Sequence, residues 1–270
     1  MDKLCPSRKQ TLPALAAAFF LIAAFPAPAA INLSQAEASR IGRKIWQNEC
    51  HGTVSGLTSW NAGEEFASLG IGHFIWYPQG KRGPFEESFP QLVNFLSSRG
   101  AKLPKMLLAT GPIPCPWNTR AEFLLAQKTP DMKQLRQFLV DTIDLQTQFL
   151  VNRLDKALPK MLAETAPSNR AKVEQQFQRL TQSPNGCYAL IDYVNFKGEG
   201  TLATERYQGQ GWGLLQVLEQ MRDSNSNAVA EFSHSASEVL QRRVRNSPPA
   251  RKESRWLSGW IQRVNSYSRG

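Results

Sequence analysis

The chain has 270 residues, 41% of them hydrophobic and 20% charged, with 32 Lys+Arg against 22 Asp+Glu and a formal net charge of +10. That length suits one large core or a small two-lobed domain. The basic balance favours anionic surfaces such as cell-wall polymers or lipid head groups. No run of five or more Lys/Arg and no zinc-finger or RNA-recognition signature occurs, which argues against nucleic acid as a partner.

Residues 1–30 read as a secretory signal peptide. Lys3, Arg8 and Lys9 form its basic start, residues 11–25 its apolar run, and Ala27-Pro28-Ala29 a small-residue cleavage site. The run falls short of the ~20 apolar residues a membrane span needs. The expectation is an exported protein, periplasmic or secreted, with no stable membrane span after cleavage and a monomeric state. Cys50, Cys115 and Cys187 remain in the mature chain. An oxidising compartment predicts one disulfide among them with one thiol left over, although Cys50 suits a packed thiol equally well. With no C-x-x-C pair and three scattered histidines, no metal site and no cofactor are expected.

Ser34-Gln35-Ala36-Glu37 is a capping-box pattern that opens a helix running to Glu49. Ile41, Ile45 and Glu49 follow at steps of four, so they share a face. A carboxylate there is expected to be desolvated, which favours the neutral acid that can protonate a leaving group. Residues 51–83 are punctuated by glycines and read as turns and short hairpin strands. A Pro-rich loop follows at 111–117.

Pro130-Asp131 starts the longest helical pattern, which should stop at Pro159. Further helices are expected near 168–182, 187–196, 211–223, 226–245 and 249–265. Residues 188–196 are apolar on nearly every face, as a central helix would be. At its end, Asn195 and Lys197 can point into a cleft, or belong to a C-cap with Gly198 left-handed, and the two readings are compatible. Near the C-terminus a Pro-containing turn leads to Arg251, Arg255 and Trp256 at helical spacing. No Gly-x-Ser-x-Gly elbow is present, which leaves a lipase or protease unsupported.

Four of these segments, in this order, resemble the phage-type lysozymes, the muramidase family of glycoside hydrolases. They are the helix ending in Ile45-Trp46-Gln47-Asn48-Glu49, the tetrapeptide Gly70-Ile71-Gly72-His73 after Ser68-Leu69, the apolar segment around residues 189–199, and the late turn and helix at 246–256. The resemblance covers roughly 35–80 and 130–267 and leaves 84–128 as an insertion. It implies an α+β, mainly helical, two-lobed fold over 31–267, with the acid on a helix-plus-hairpin region at 34–83 and a helical lobe at 130–267. It also implies that the partner is peptidoglycan glycan strands, with Glu49 protonating the glycosidic oxygen. Ser68 takes the place of the family's threonine, and Gly72, His73, Trp60, Asn195 and Lys197 are the expected substrate contacts. By resemblance, His73 is a structural histidine paired to a carboxylate.

The family's aspartate aligns near Asn61-Ala62-Gly63, where this chain has none. Three readings follow. Glu64 or Glu65 replaces it; or Glu49 acts alone, as in lytic transglycosylases; or the protein keeps the fold and binds cell wall without cleaving it.

Overall fold

The structure, a computed structural model, describes residues 31, 33–83, 85–109, 111–222 and 227–269. The signal-like residues 1–30 lie outside the described residues. The protein is mainly helical with small antiparallel sheets.

Helix α1 (Gln35–Cys50) starts as its capping box predicts: the Ser34 N–H donates to Glu37 Oε2 at 2.8 Å and the Glu37 N–H to Ser34 Oγ at 3.3 Å. Ala38, Ile41 and Ile45 are buried along one face. Gly42 lets this face come close to a second helix, since a Cβ there would sit 2.3 Å from Thr147 Oγ1. Beyond α1 the chain forms a three-stranded antiparallel sheet of β1 (Thr58–Ser59), β2 (Ala67–Leu69) and β3 (Phe74–Trp76), with Ser68 opposite both Ser59 and Ile75.

The turn between β2 and β3 is Gly70 to His73, and both end residues are left-handed, at φ 73° and 47°. Glycine takes that conformation readily, whereas histidine needs its surroundings to hold it there. Gln146 supplies part of that hold. It is fully buried, accepts from the Ile71 N–H at 2.9 Å and donates to Leu139 O at 2.6 Å.

The segment read as an insertion belongs to the same core. Its helices α2 (Phe89–Ser98) and α3 (Arg120–Ala126), with the loop between them, bring Phe89 and Trp117 to 4.8 and 5.9 Å from Trp76, ring centre to ring centre, and Phe123 to 4.9 Å from Trp117.

The expected single helix from Pro130 is two, α4 (Pro130–Asp141) and α5 (Ile143–Glu164). The break falls at Thr142, whose hydroxyl turns back to Phe138 O at 2.7 Å. Pro159 does not end α5. Proline removes one ladder hydrogen bond, and the buried Leu154, Ala157, Leu158 and Met161 around it hold the helix through the defect.

Helices α6 (Pro167–Thr181) and α7 (Pro184–Lys197) follow, and α7 is the expected central helix, buried at ten named positions. Where a helix was expected from 211, a two-stranded hairpin, β4 (Arg206–Tyr207) and β5 (Gln210–Gly211), precedes the shorter α8 (Leu214–Gln220). Gly213 sets that late start: a Cβ there would meet Gly200 N at 2.1 Å, so the chain is pressed against the end of α7 before it can coil. Helices α9 (Ala228–Asn246) and α10 (Ser254–Ser266) complete the fold. No described helix is long and apolar enough to cross a membrane.

The predicted disulfide does not form. Cys50, Cys115 and Cys187 are all free and buried, and they donate to three different carbonyls, Gly70 O at 3.5 Å, Trp117 O at 3.4 Å and Thr181 O at 3.6 Å. Burial pushes the first two thiols up to about 12 and Cys187 to about 11.

Candidate active site

Glu49 sits in the last turn of α1 with 15% of its side chain exposed. Three other parts of the chain converge on its carboxyl. Arg263 of α10 donates Nη2 to Oε1 in a short contact. Asn195 of α7 donates Nδ2 to the same oxygen at 3.3 Å. His73, from the β2–β3 turn, places Nδ1 3.6 Å from Oε2. Gly72 allows the turn to reach α7, because a Cβ there would lie 3.1 Å from Asn195 Oδ1. Four residues singled out from the sequence (Glu49, Gly72, His73 and Asn195) therefore meet at one place. The surroundings of the carboxyl differ from the expected apolar face: Ile41 and Ile45 are buried along the helix, but the carboxyl itself is paired with a guanidinium and an amide.

Arg263 is held from behind by Asp192, which is fully buried in α7. Its Nε and Nη2 each donate to one Asp192 oxygen at 2.8 Å, a bidentate fork of the kind that fixes a guanidinium in plane. The Tyr267 hydroxyl adds a 2.6 Å bond to Asp192 Oδ2, and Asn48 Nδ2 lies 3.4 Å from Oδ1 while donating to Tyr188 Oη at 2.6 Å. The Phe196 ring lies 4.2 Å from the guanidinium carbon.

Burial alone would lower the Arg263 pKa, but the charge and hydrogen bonds of Asp192, joined by Glu49, raise it well above its usual value. Burial and then Asp192 raise Tyr267 and Tyr188 in turn, so both phenols stay protonated at neutral pH. The result is a permanently charged, immobilised arginine with an N–H aimed at Glu49.

Sequence reasoning missed Arg263 and Asp192. Asp192 did leave a signal: it is the one charged residue in the apolar run 188–196, and a buried charge needs a partner. Arg263 left none, being one basic residue among many in the C-terminal helices.

The other predicted residues lie elsewhere or in other company. Ser68 is buried in β2, where its carbonyl takes the Ser59 hydroxyl at 3.4 Å. Glu64 Oε2 accepts from Asn61 Nδ2 at 3.2 Å inside its own loop, and Glu65 is exposed. Trp60 does not offer a face to a sugar. It is only 5% exposed, packs 5.8 Å from Phe123, and its indole N–H is spent on Glu64 O at 2.8 Å.

Lys197 is buried beside the site, with Nζ 3.8 Å from the Phe196 ring centre and 3.3 Å from that of Trp260. Burial first, then Arg243 and Arg263, depress its pKa to about 6 against the opposing pull of Glu253 and Glu49. Gly198 follows with φ 85° and ψ 177°, a glycine region distinct from the left-handed helical cap that was expected. Among the described residues no His/Cys/Asp/Glu group could hold a metal ion. A cavity of about 560 Å³ at the starts of α7 and α9, lined in part by Arg40, Lys44 and Ser183, does not include Glu49.

No family model, curated protein or solved structure matches this chain.

Proposed function

We propose that this protein is an exported enzyme that cleaves the glycan strands of peptidoglycan, built on a lysozyme-like two-lobed plan with Glu49 as the proton donor. The observation that carries the reading is the convergence of Glu49, the Gly72-His73 turn and Asn195, three segments of the lysozyme resemblance that have no sequence reason to meet unless they share a site. Oε1 accepts from two donors, so Oε2 is the oxygen able to carry a proton. From there Glu49 delivers it to the glycosidic oxygen as the bond to the leaving sugar breaks. Arg263 and Asn195 fix the carboxyl's orientation while this happens. The carboxylate left behind then takes a proton from the attacking group.

Of the two chemistries, attack by the sugar's own hydroxyl is favoured over attack by water. Glu64 is tied to Asn61, Glu65 is exposed, and Asp192 is committed to Arg263, which leaves Glu49 as the carboxyl for both proton transfers. The test is Glu49→Gln, assayed on purified peptidoglycan with product analysis. Loss of the general acid is expected to lower cleavage by about 10²–10⁴-fold with an unaltered melting curve. Anhydro-ended products from the wild type support the single-acid route, and reducing ends support hydrolysis. A folded Gln variant with wild-type turnover refutes the assignment, and a wild type that binds the polymer without cutting it favours a wall-binding protein.

A further inference from the structure

Helix α10 carries aromatic surface that the proton chemistry does not use. Of its 13 residues only Val264 is buried. Trp256 and Trp260, one turn apart, stack with ring centres 6.1 Å apart and planes at 27°, and Trp256 is 43% exposed. The Arg255 guanidinium lies 4.2 Å from the Trp256 ring. At its inner end Trp260 meets Phe196 edge-on at 6.4 Å, and Phe196 underlies Arg263, which holds Glu49. The row therefore runs Trp256, Trp260, Phe196, Arg263, Glu49. Trp256 and Arg263 are two helical turns apart on one face, about 10 Å along the axis. Around the outer end Arg251, Lys252 and Arg255 are exposed, with Arg251 steadied by Tyr207 Oη at 3.1 Å.

We infer that the outer end of this row is a binding subsite for an anionic glycan strand, which rests on the cleavage reading above. A pyranose ring lays its C–H face on Trp256, an exposed ring held flat by Trp260, because an aromatic face pairs well with apolar surface that has polar edges. Arg255 and Arg251 take the carboxylates the strand carries through charge-assisted hydrogen bonds. The site gives the enzyme a grip on long polymer at a distance from the bond it cuts. A lipid surface suits the face less well. Leu257 and Ile261 turn inward onto the core, which leaves Trp256 as the helix's one exposed large apolar side chain, whereas an interfacial helix needs a whole apolar face.

The test compares wild type, Trp256→Ala, Trp256→Phe and Glu49→Gln as full mature chains. Three readouts are taken: co-sedimentation with insoluble peptidoglycan, cleavage of polymer, and cleavage of short soluble glycan fragments. Loss of one stacked ring is expected to weaken polymer binding by about 2–10-fold. The loss falls more heavily on polymer than on short fragments, Phe restores most of it, and Glu49→Gln still sediments. Equal losses on polymer and fragments, or no loss at all, overturn the subsite while leaving Glu49's role standing. So does a Trp256→Ala variant that loses only its binding to vesicles of anionic phospholipid, which would make the face a membrane contact. A Glu49→Gln variant that cleaves normally overturns the cleavage reading instead, and a wild type that neither binds nor cleaves the polymer overturns both.

Discussion

Two buried arginine–carboxylate forks in this protein are built from the same parts and end differently. Arg263 reaches Asp192 through Nε and Nη2 at 2.8 Å each, and Arg243 reaches Glu253 through the same atoms at 2.8 and 2.9 Å. Each carboxylate also accepts a tyrosine hydroxyl, from Tyr267 at 2.6 Å and from Tyr207 at 2.9 Å. Each guanidinium lies on an aromatic ring, Phe196 at 4.2 Å and Trp212 at 4.1 Å. Burial pushes Glu253 up, but the hydrogen bonds and charge of Arg243 outweigh it and hold the carboxyl below its usual range. The difference lies beyond the fork. The Arg243 pair ties α9 to the start of α10, and its carboxylate has Arg251, at 3.8 Å, as a further charged neighbour. Arg263 has an N–H left for Glu49, so an identical fastening becomes a mount for a second carboxyl.

The largest expected effect comes from removing each carboxylate. Asp192→Ala and Glu253→Ala should each cost about 3–5 kcal/mol in urea unfolding, because each strips a largely buried guanidinium of its bidentate partner. Only Asp192→Ala should also reduce glycan cleavage per folded molecule. Equal effects of the two on cleavage would erase the distinction. Next in size is the loss of planar geometry with charge kept. Arg263→Lys cannot hold Asp192 and Glu49 together. At about 1.5–3 kcal/mol for a charged hydrogen bond, cleavage should fall roughly 10–100-fold, whereas Arg243→Lys should show its cost in the melting curve.

The smallest effect on cleavage concerns Lys197, which lies between the forks and feels Arg243, Glu253, Arg263 and Glu49 together. Its folded pKa of about 6 stands below the ordinary 10.5, so between those values the unfolded chain binds the extra proton and stability rises with pH. Lys197→Met removes that dependence. The variant should melt higher than wild type near pH 7, and the gap should narrow as pH approaches 10. A gap constant across that range would mean the amine is ordinarily charged in the fold.

Local signals in the sequence were enough for much of the framework. The capping box at Ser34, the Ile41–Ile45 stripe, the glycine-punctuated hairpin and the apolar α7 are read from neighbours three or four residues apart, and the chain forms them where expected. The break between α4 and α5 was invisible because Thr142 is an ordinary helix residue. Pro159 misled because tertiary packing overrides a single lost hydrogen bond. In the site, Glu49 and Asn195 were legible from their places at the ends of apolar helices, and Gly72 and His73 from the glycine turn that follows Glu49. The Arg263 contacts were not, since they join residues 71 and 214 positions apart. Trp60 and Lys197 have the residue types of a sugar platform and a cleft cation, and only the packing of Phe123 and Trp260 against them turns both inward.

The three described cysteines make the protein its own opening sensor. Disulfide exchange proceeds through the thiolate, and thiols raised to about 11 or 12 offer almost none at neutral pH while they stay folded. In an oxidising compartment these three thiols would therefore resist cross-linking while the fold stays closed. Transient opening reverses that: once Cys50 leaves Gly70 O, it regains ordinary reactivity. The rate at which a thiol reagent captures Cys50 then clocks how often α1 parts from the hairpin, with no label introduced.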